Sequence, residues 1–208
     1  MRVLVLSPHP DDEAIGCGGT LCRHAHEGDE VRAVFLTSGE AGGHGEPAAE
    51  TAARRETEAS DAAATLGIAR IEFWRAPDGK LEPTPALVLR LRSLLADWRA
   101  DIVYTTHPEE SHADHRAAAA LMRQALDGME GPVPSVRMFE IWTPLQRTDH
   151  VEDISPFIET KLRAIRAYRS QCAAMRFDEA ALGLNRYRGE MHSWPGGDYA
   201  EVFAELRP

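Results

Sequence analysis

Short apolar runs rich in β-branched residues alternate with amphipathic helical stretches along this chain, and this alternation constrains the fold more than any other feature. The predicted strands lie at residues 3–6, 30–37, 71–74, 101–106 and 135–143. Strands joined through helices make right-handed crossovers, so this order predicts a sheet covered by helices on both faces. We therefore predict an α/β fold: a Rossmann-like, doubly wound, mainly parallel sheet with strand order around 3-2-1-4-5.

The stretches between these strands have helical patterns. We predict helices over residues 14–26, 48–66, 85–98 and 111–126, and the chain after the fifth strand looks helical, most clearly over 156–175. Ser111 is followed three residues later by Asp114, as in a capping box, so we expect Ser111 to be an N-cap. Trp194-Pro195-Gly196-Gly197 is typical of an exposed aromatic turn. The length of 208 residues fits one domain over 1–208.

The charge balance narrows the class of partner. With 23 Lys and Arg against 33 Asp and Glu, the formal net charge is −10. This charge argues against a nucleic acid or an anionic membrane as the main partner. No apolar run approaches a membrane span, the first residues lack a signal-peptide pattern, and three cysteines suggest no disulfide framework. We expect a cytoplasmic protein without a membrane anchor, and the sequence leaves homo-oligomers open.

The first chemical motif is His9-Pro10-Asp11-Asp12-Glu13, directly after the first strand. Crowded carboxylates are costly to bury unless a cation compensates them, and His9 and Asp12 can converge on one metal ion. Asp11 would then remain free beside the metal as a general base. The alternative is a solvated acidic turn in which Asp11 or Asp12 caps the helix. A phosphate cradle is rejected, because Gly16, Gly18 and Gly19 fall inside the helix, where they would permit close packing.

The second motif follows the fourth strand and runs from His107 to His115. His112 and His115 are three residues apart in the first turn of the predicted helix, whose positive end favours neutral, metal-binding imidazoles. In the predicted order the first and fourth strands are neighbours, so both motifs meet at the switch point. His9, Asp12 and one of these histidines would leave an open position for water, as in catalytic zinc sites, and Fe²⁺ would also suit these ligands.

Together the two motifs resemble the signature of the PIG-L/LmbE superfamily of zinc-dependent de-N-acetylases. The similarity continues along nearly the whole chain, in Thr37-Ser38-Gly39-Glu40, Arg55 with Glu58, Leu66-Gly67, Asp78-Gly79, Lys161 with Ser170-Gln171, and residues 199–203. The resemblance implies three zinc ligands: His9, Asp12 and His115. It further implies that Asp11 is the general base and that His112 stabilises the oxyanion or acts as an acid, with Asp114 orienting it.

The resemblance also implies that Arg55 and Asp78 lie near the sugar of the substrate. One position departs from the family, since some members have a catalytic Tyr where this chain has Glu110. The group that protonates the leaving amine therefore stays open, with Asp11 and His112 as the candidates.

The resemblance implies a hydrolase that removes an N-acetyl group from a small molecule containing N-acetylglucosamine. An amidase acting on a sugar-thiol conjugate is the alternative within the family. A Mg²⁺-dependent phosphohydrolase or receiver-like domain would also place acidic residues after the first strand, but histidines at two strand ends suit zinc better. A non-catalytic metal-binding module would need a closed set of four ligands.

Overall fold

The computed structural model describes residues 1–192 and 197–206 and follows the predicted alternation. The strands are β1 (Arg2–Ser7), β2 (Glu30–Phe35), β3 (Arg70–Phe73), β4 (Ile102–Thr106), β5 (Ser135–Phe139), β6 (His150–Asp153) and β7 (Ala200–Glu205). The α-helices are α1 (Asp12–His26), α2 (Ala48–Leu66), α3 (Pro85–Trp98), α4 (Ala113–Leu126), α5 (Ile158–Ala167), α6 (Arg169–Ala174) and α7 (Phe177–Met191). None of the described helices is long and apolar enough to cross a membrane.

The strands form one sheet in the order β3-β2-β1-β4-β5-β7-β6. The first five pair in parallel, which confirms the predicted order 3-2-1-4-5. β7 lies between β5 and β6 and runs antiparallel to both. The prediction that the chain after β5 is helical was therefore wrong at β6 and β7. Of the aromatic turn predicted at Trp194-Pro195-Gly196-Gly197, the first three residues lie outside the described residues.

Alternating side chains of β1 build the core on both faces of the sheet. Val3 and Val5 pack with apolar residues of α1, α2 and α5, whereas Leu4 and Leu6 pack with those of α3 and α4. All four side chains are fully buried, as expected for a central parallel strand covered on both sides. The prediction of helices on both faces is confirmed.

Glycines bring α1 close to its neighbours, as predicted. A Cβ atom on Gly16 would lie 2.2 Å from the ring of Phe139 on β5, and one on Gly19 would lie 2.7 Å from Ile154. Real Cβ atoms do not approach other heavy atoms this closely, so only glycine at these two positions allows α1 to lie at its present distance from Phe139 and Ile154. The carboxyl end of β1 and the first turn of α1 are thereby held in a defined place.

A buried ion pair joins α5 to β7, and hydrogen bonds to the same carboxylate attach the middle of α1. Lys161 Nζ on α5 lies 2.7 Å from Glu201 Oε1 on β7, and both side chains are almost fully buried. The carboxylate of Glu201 also accepts the backbone N–H of Gly19 at 2.9 Å, and the N–H and hydroxyl of Thr20 at 2.8 and 2.5 Å. We call these four residues the Lys161–Glu201 cluster. Each carboxylate oxygen has at least one donor, so the cluster is closed.

Candidate metal centre and active-site cleft

The two predicted motifs meet where β1 and β4 end side by side. A cleft of about 390 Å³ opens there. Six of the eight predicted site residues line it: His9, Asp11, Asp12, Arg55, Asp78 and His112. The other two, Asp114 and His115, are buried at its base with exposed fractions of 1% and 0%. The topology therefore brings all eight residues together.

The three predicted metal ligands form one buried group. His9 Nδ1 lies 3.2 Å from Asp12 Oδ2, and His115 Nε2 lies 3.3 Å from Asp12 Oδ1. One ring nitrogen from each of His9, His112 and His115 falls within 4.8 Å of the others, which is close enough for a shared ion. His112 is thus a fourth side chain within reach of the same point.

His115 provides a test of whether these residues fit a metal. Its side chain is fully buried, yet neither ring nitrogen makes a hydrogen bond with any described residue. Its nitrogens instead face two carboxylates, with Nε2 3.3 Å from Asp12 Oδ1 and Nδ1 3.7 Å from Glu110 Oε2, and a buried imidazole without an aligned hydrogen bond is costly. Burial lowers its pKa, but the Asp12 carboxylate outweighs this effect and raises the pKa to about 9, so the surroundings favour positive charge. Imidazoles beside carboxylates are the donor set for Zn²⁺ or Fe²⁺, and the residues present therefore fit a divalent cation.

His9 is held from its other side by carboxylates. Its Nε2 lies 3.1 Å from Asp114 Oδ2, and the Asp114 carboxylate in turn accepts the N–H of Gly79 at 2.7 Å and of Leu81 at 3.1 Å. This is the carboxylate–histidine arrangement that orients metal-bound imidazoles. The resemblance had implied that Asp114 orients His112, whereas the structure places its carboxylate on His9.

Asp78 shares that contact. Its Oδ1 lies 3.1 Å from His9 Nε2, and its Oδ2 accepts the backbone N–H of Ala41 at 2.8 Å. Burial lowers the pKa of His9, but the carboxylates of Asp114, Asp12 and Asp78 together leave it well above its ordinary value. Asp78 lines the cleft as predicted, yet both of its oxygens have partners within the protein.

His112 begins α4 and corrects the predicted helix start. The N-cap is His112, whose Nδ1 accepts the N–H of Asp114 at 3.2 Å, and not Ser111. The backbone of Ser111 is engaged elsewhere, since its N–H donates to Thr143 Oγ1 and its carbonyl accepts from Arg116. Burial and the neighbouring imidazoles lower the pKa of His112. The neutral ring accepts at Nδ1, so its hydrogen is on Nε2.

Asp11 has a strained backbone that its neighbours hold in place. Its φ is +124°, a conformation that costs a non-glycine residue about 1–3 kcal/mol. The N–H of Asp11 donates to Glu13 Oε2 at 3.1 Å, and the Tyr168 hydroxyl donates to the other oxygen of Glu13. Arg55 Nη2 donates to Asp11 Oδ2 at 3.0 Å. We call Glu13, Arg55 and Tyr168 the Asp11 brace. Burial raises the pKa of Asp11, and the Arg55 guanidinium opposes part of that effect.

Arg55, expected near the sugar, is 4% exposed and bonds mostly to the protein. Besides Asp11 it donates to the carbonyl oxygens of Pro10 at 2.5 Å and Gly39 at 3.0 Å. Gly39 has a φ of +67°, and a Cβ there would lie 2.3 Å from the guanidinium. The structure therefore gives Arg55 a positioning contact with Asp11 that the sequence did not indicate.

Glu110 has a structural function that sequence reasoning missed. It is buried and accepts the N–H groups of Ile141 at 2.7 Å, Trp142 at 3.1 Å and Thr143 at 3.2 Å. Burial raises its pKa, but the His107 ring and these amides prevail and lower it to about 2. An ionised carboxylate cannot donate a proton, so Glu110 does not replace the Tyr of other members as an acid. The amides that donate to Glu110 belong to residues that follow β5, so no local motif around Glu110 could have indicated these contacts.

Comparisons with known proteins agree with this site. A family model described as PIG-L, GlcNAc-PI de-N-acetylase, matches residues 4–126, which include both metal motifs. The diacetylchitobiose deacetylase of Thermococcus kodakarensis is 32% identical, over 82% of this chain and 70% of its own. The 1D-myo-inositol 2-acetamido-2-deoxy-alpha-D-glucopyranoside deacetylase of a Mycobacterium species is 26% identical, over 82% of this chain and 74% of its own.

A solved structure also shares the whole architecture. N,N'-diacetylchitobiose deacetylase from Pyrococcus horikoshii superposes with a TM-score of 0.86 at 27% identity, covering 99% of this chain and 83% of that one. Family model, sequence relatives and fold thus point the same way. The chain belongs to the PIG-L family of de-N-acetylases.

Proposed function

We propose that this chain is a zinc-dependent hydrolase that removes the N-acetyl group from a small molecule containing N-acetylglucosamine. One observation carries the proposal: a buried cluster of imidazoles and carboxylates, with His115 lacking hydrogen-bond partners among the described residues, forms the base of a cleft beside Asp11. A buried cluster of metal-binding side chains, next to the Asp11 carboxylate that Arg55 holds in place, suits metal-assisted hydrolysis.

His9, Asp12 and His115 would hold the metal, and Asp114 and Asp78 would orient His9. Bound there, Zn²⁺ would supply a Lewis acid for the amide carbonyl and lower the pKa of water toward ~7. Fe²⁺ would fit the same ligands.

The residues of this chain then divide the proton transfers between them. Asp11 accepts a proton from the attacking water at a carboxylate oxygen, while Arg55 holds that carboxylate and Glu13 holds the backbone N–H of Asp11. His112 donates a hydrogen bond from its Nε2–H to the carbonyl oxygen as negative charge develops on it, and keeps that proton. Asp11 then passes its proton to the leaving nitrogen, the C–N bond breaks, and acetate and the free amine result. His112 is the weaker candidate for that last transfer because its lowered pKa leaves it neutral.

The substrate class follows from the family. The relatives are named for diacetylchitobiose and for an inositol glycoside of 2-acetamido-2-deoxyglucose, which share one acetamido sugar and differ in the group attached to it. The net charge of −10 favours a small molecule over a polyanion. The proposal includes one domain over residues 1–208 and a cytoplasmic location.

The decisive experiment is acetate release by the zinc-loaded protein from a panel of N-acetylglucosaminyl conjugates, with Asp11→Asn as the matched variant. We expect release by the wild type and a loss of roughly 10²–10⁴-fold in kcat for the variant, with one zinc per chain retained. Absence of release from every conjugate would contradict the deacetylase function. Full turnover by Asp11→Asn would instead remove only the assignment of the base.

A further inference from the structure

A second cavity of about 140 Å³ adjoins the cleft, with which it shares the lining residues Ile15, Ile141, Trp142, Met175 and Phe177. One wall of it comes from α7 and includes Ala180 and Leu184. We call the space bounded by Ile15, Ile141, Trp142, Phe177, Ala180 and Leu184 the apolar chamber. None of the residues proposed as metal ligands lines it, so the chamber is distinct from the metal centre.

The polar groups of the chamber are few and mostly occupied. Glu140 is buried, but Arg188 donates to it at 2.9 and 2.6 Å and the N–H of Leu145 at 2.6 Å, so it offers no free charge. Asn185 Nδ2 donates to the carbonyl of Ala200 at 2.9 Å. Asn185 Oδ1 is buried and accepts no hydrogen bond from any described residue. The chamber therefore combines an apolar lining with one unpaired acceptor.

Its size and polarity limit what it can hold. At about 140 Å³ it is close to the ~150 Å³ apolar cavity that binds benzene in an engineered protein. A pyranose ring would lose hydration at several hydroxyls and find a single acceptor, which is unfavourable. A phenyl ring or a short branched alkyl group, with at most one hydrogen-bond donor, matches the space.

The chamber begins next to the reacting groups. Ile15 belongs to both cavities and lies one helical turn after Asp11, with its N–H bonded to the Asp11 carbonyl at 3.0 Å. The polar residues that line the cleft, which include His44, Asp78 and Gln171, do not line the chamber. A sugar in the cleft would therefore present a substituent to the chamber close to its amide.

The aromatic wall is built before any ligand arrives. Glu110 accepts the N–H groups of Ile141 and Trp142, which fixes the segment carrying the wall. The rings of Trp142 and Phe177 meet edge to face, with centroids 5.8 Å apart. Trp142 nevertheless remains 43% exposed, so part of this wall is accessible from solvent.

We infer that the substrate carries an apolar group of about six carbon atoms next to its amino sugar, and that the apolar chamber binds this group. The inference rests on the amide hydrolysis of the proposed function and refines its substrate class; if the acyl chain is the source, the group removed is a longer acyl group in place of acetyl. The apolar group has two sources with the same chemistry, the aglycone of the glycoside or the acyl chain on nitrogen, and the experiment separates them.

The test compares three ligands: methyl N-acetylglucosaminide as reference, phenyl N-acetylglucosaminide for the aglycone, and methyl N-phenylacetylglucosaminide for the acyl chain. Calorimetry with zinc-loaded Asp11→Asn measures affinity independently of turnover. We expect one phenyl ligand to bind about 10- to 100-fold more tightly than the reference, because burying a phenyl-sized group stabilises the complex by that amount. The phenyl ligand that binds more tightly shows whether the apolar group belongs to the aglycone or to the acyl chain.

Ala180→Phe, introduced beside Asp11→Asn, tests the location. Ala180 is exposed on α7, so a larger side chain there can fill the chamber without disturbing the core. We expect the phenyl preference to fall to within about threefold, with Ala180→Leu intermediate. Ala53→Phe, at an exposed position of α2 that lines neither cavity, is the matched control and should keep the preference.

Equal affinity for all three ligands, or an unchanged phenyl preference in Ala180→Phe with an unaltered Tm, would overturn the inference. Neither result bears on the deacetylase function, which fails only if the zinc-loaded wild type releases no acetate from any conjugate. The two proposals can thus fail separately.

Discussion

Two buried polar clusters contact helix α1, and they differ in how completely their charges and hydrogen bonds are satisfied. In the Lys161–Glu201 cluster one cation balances one carboxylate, and both carboxylate oxygens accept hydrogen bonds. In the metal cluster, carboxylates surround His9 and His115, and both nitrogens of His115 lack hydrogen bonds among the described residues. Polar burial alone therefore does not identify a site in this protein. The metal cluster is identified as a site because both ring nitrogens of His115 lack hydrogen bonds within the described part of the chain, and a bound ion would take their place.

The largest expected effect comes from removing a side chain of the metal cluster. His115→Ala should abolish stoichiometric zinc binding and, with it, acetate release. The loss of affinity should exceed the roughly 10–100-fold cost of changing a residue that only supports a ligand. Metal analysis after gel filtration measures the zinc content. A variant that retained one zinc per chain would show that His115 is not a ligand.

A change in the Lys161–Glu201 cluster should lower the free energy of unfolding and leave zinc binding unchanged. Lys161→Met leaves the Glu201 charge buried without its cation, which should cost about 3–5 kcal/mol of unfolding free energy and lower the Tm by roughly 10 °C. The double variant Lys161→Met with Glu201→Gln removes the unpaired charge and keeps one acceptor oxygen for Gly19 or Thr20, so it should recover part of that loss. Loss of zinc from a folded Lys161→Met protein would contradict the separation of the two clusters.

The third variant changes Asp114, which orients the proposed metal ligand His9. Asp114→Asn removes the negative charge beside His9 Nε2 and should weaken zinc binding by about 10–100-fold, measured by competition with a chelator. The matched control is Asp29→Asn, because Asp29 lies 2.7 Å from His24, a buried histidine outside the cleft. If both variants lowered zinc affinity equally, the contact between Asp114 and His9 would have no special function.

The smallest effect is expected from the Asp11 brace. Tyr168→Phe removes the hydroxyl that donates to Glu13, at a cost of about 1 kcal/mol in stability and less than tenfold in kcat. Zinc affinity and KM should remain unchanged, since the hydroxyl touches neither the proposed metal ligands nor the cleft lining. A rise in KM with unchanged kcat would indicate that Tyr168 acts on substrate binding instead.

The sequence predicted the parallel part of the sheet because each of its strands contributes an apolar run to the core. β6 and β7 lacked that signal. β6 is a half-exposed edge strand, and β7 carries the charged Glu201 within its buried portion. A buried carboxylate contradicts the apolar pattern of a strand and is stable here only because Lys161 and two backbone amides meet it.

Within the site, the sequence located the residues but not all of their contacts. The strand order was sufficient to bring His9 and His115 together, since both follow neighbouring strands. The contact of Asp114 with His9 depends on the orientation of a side chain at the start of α4, and Glu110 depends on amides beyond β5. The apolar chamber forms because α7 packs near α1, and no local sequence pattern predicts contacts between elements so far apart in the chain.

The position of β7 has a consequence for how the protein is made. α1 leaves the ribosome before β7, the strand that carries Glu201, and Glu201 binds the middle of that helix. β7 must also insert between β5 and β6, which are synthesised before it. Until β7 has been synthesised, the nascent chain therefore holds the metal-binding motifs while the middle of α1 lacks its contacts with Glu201.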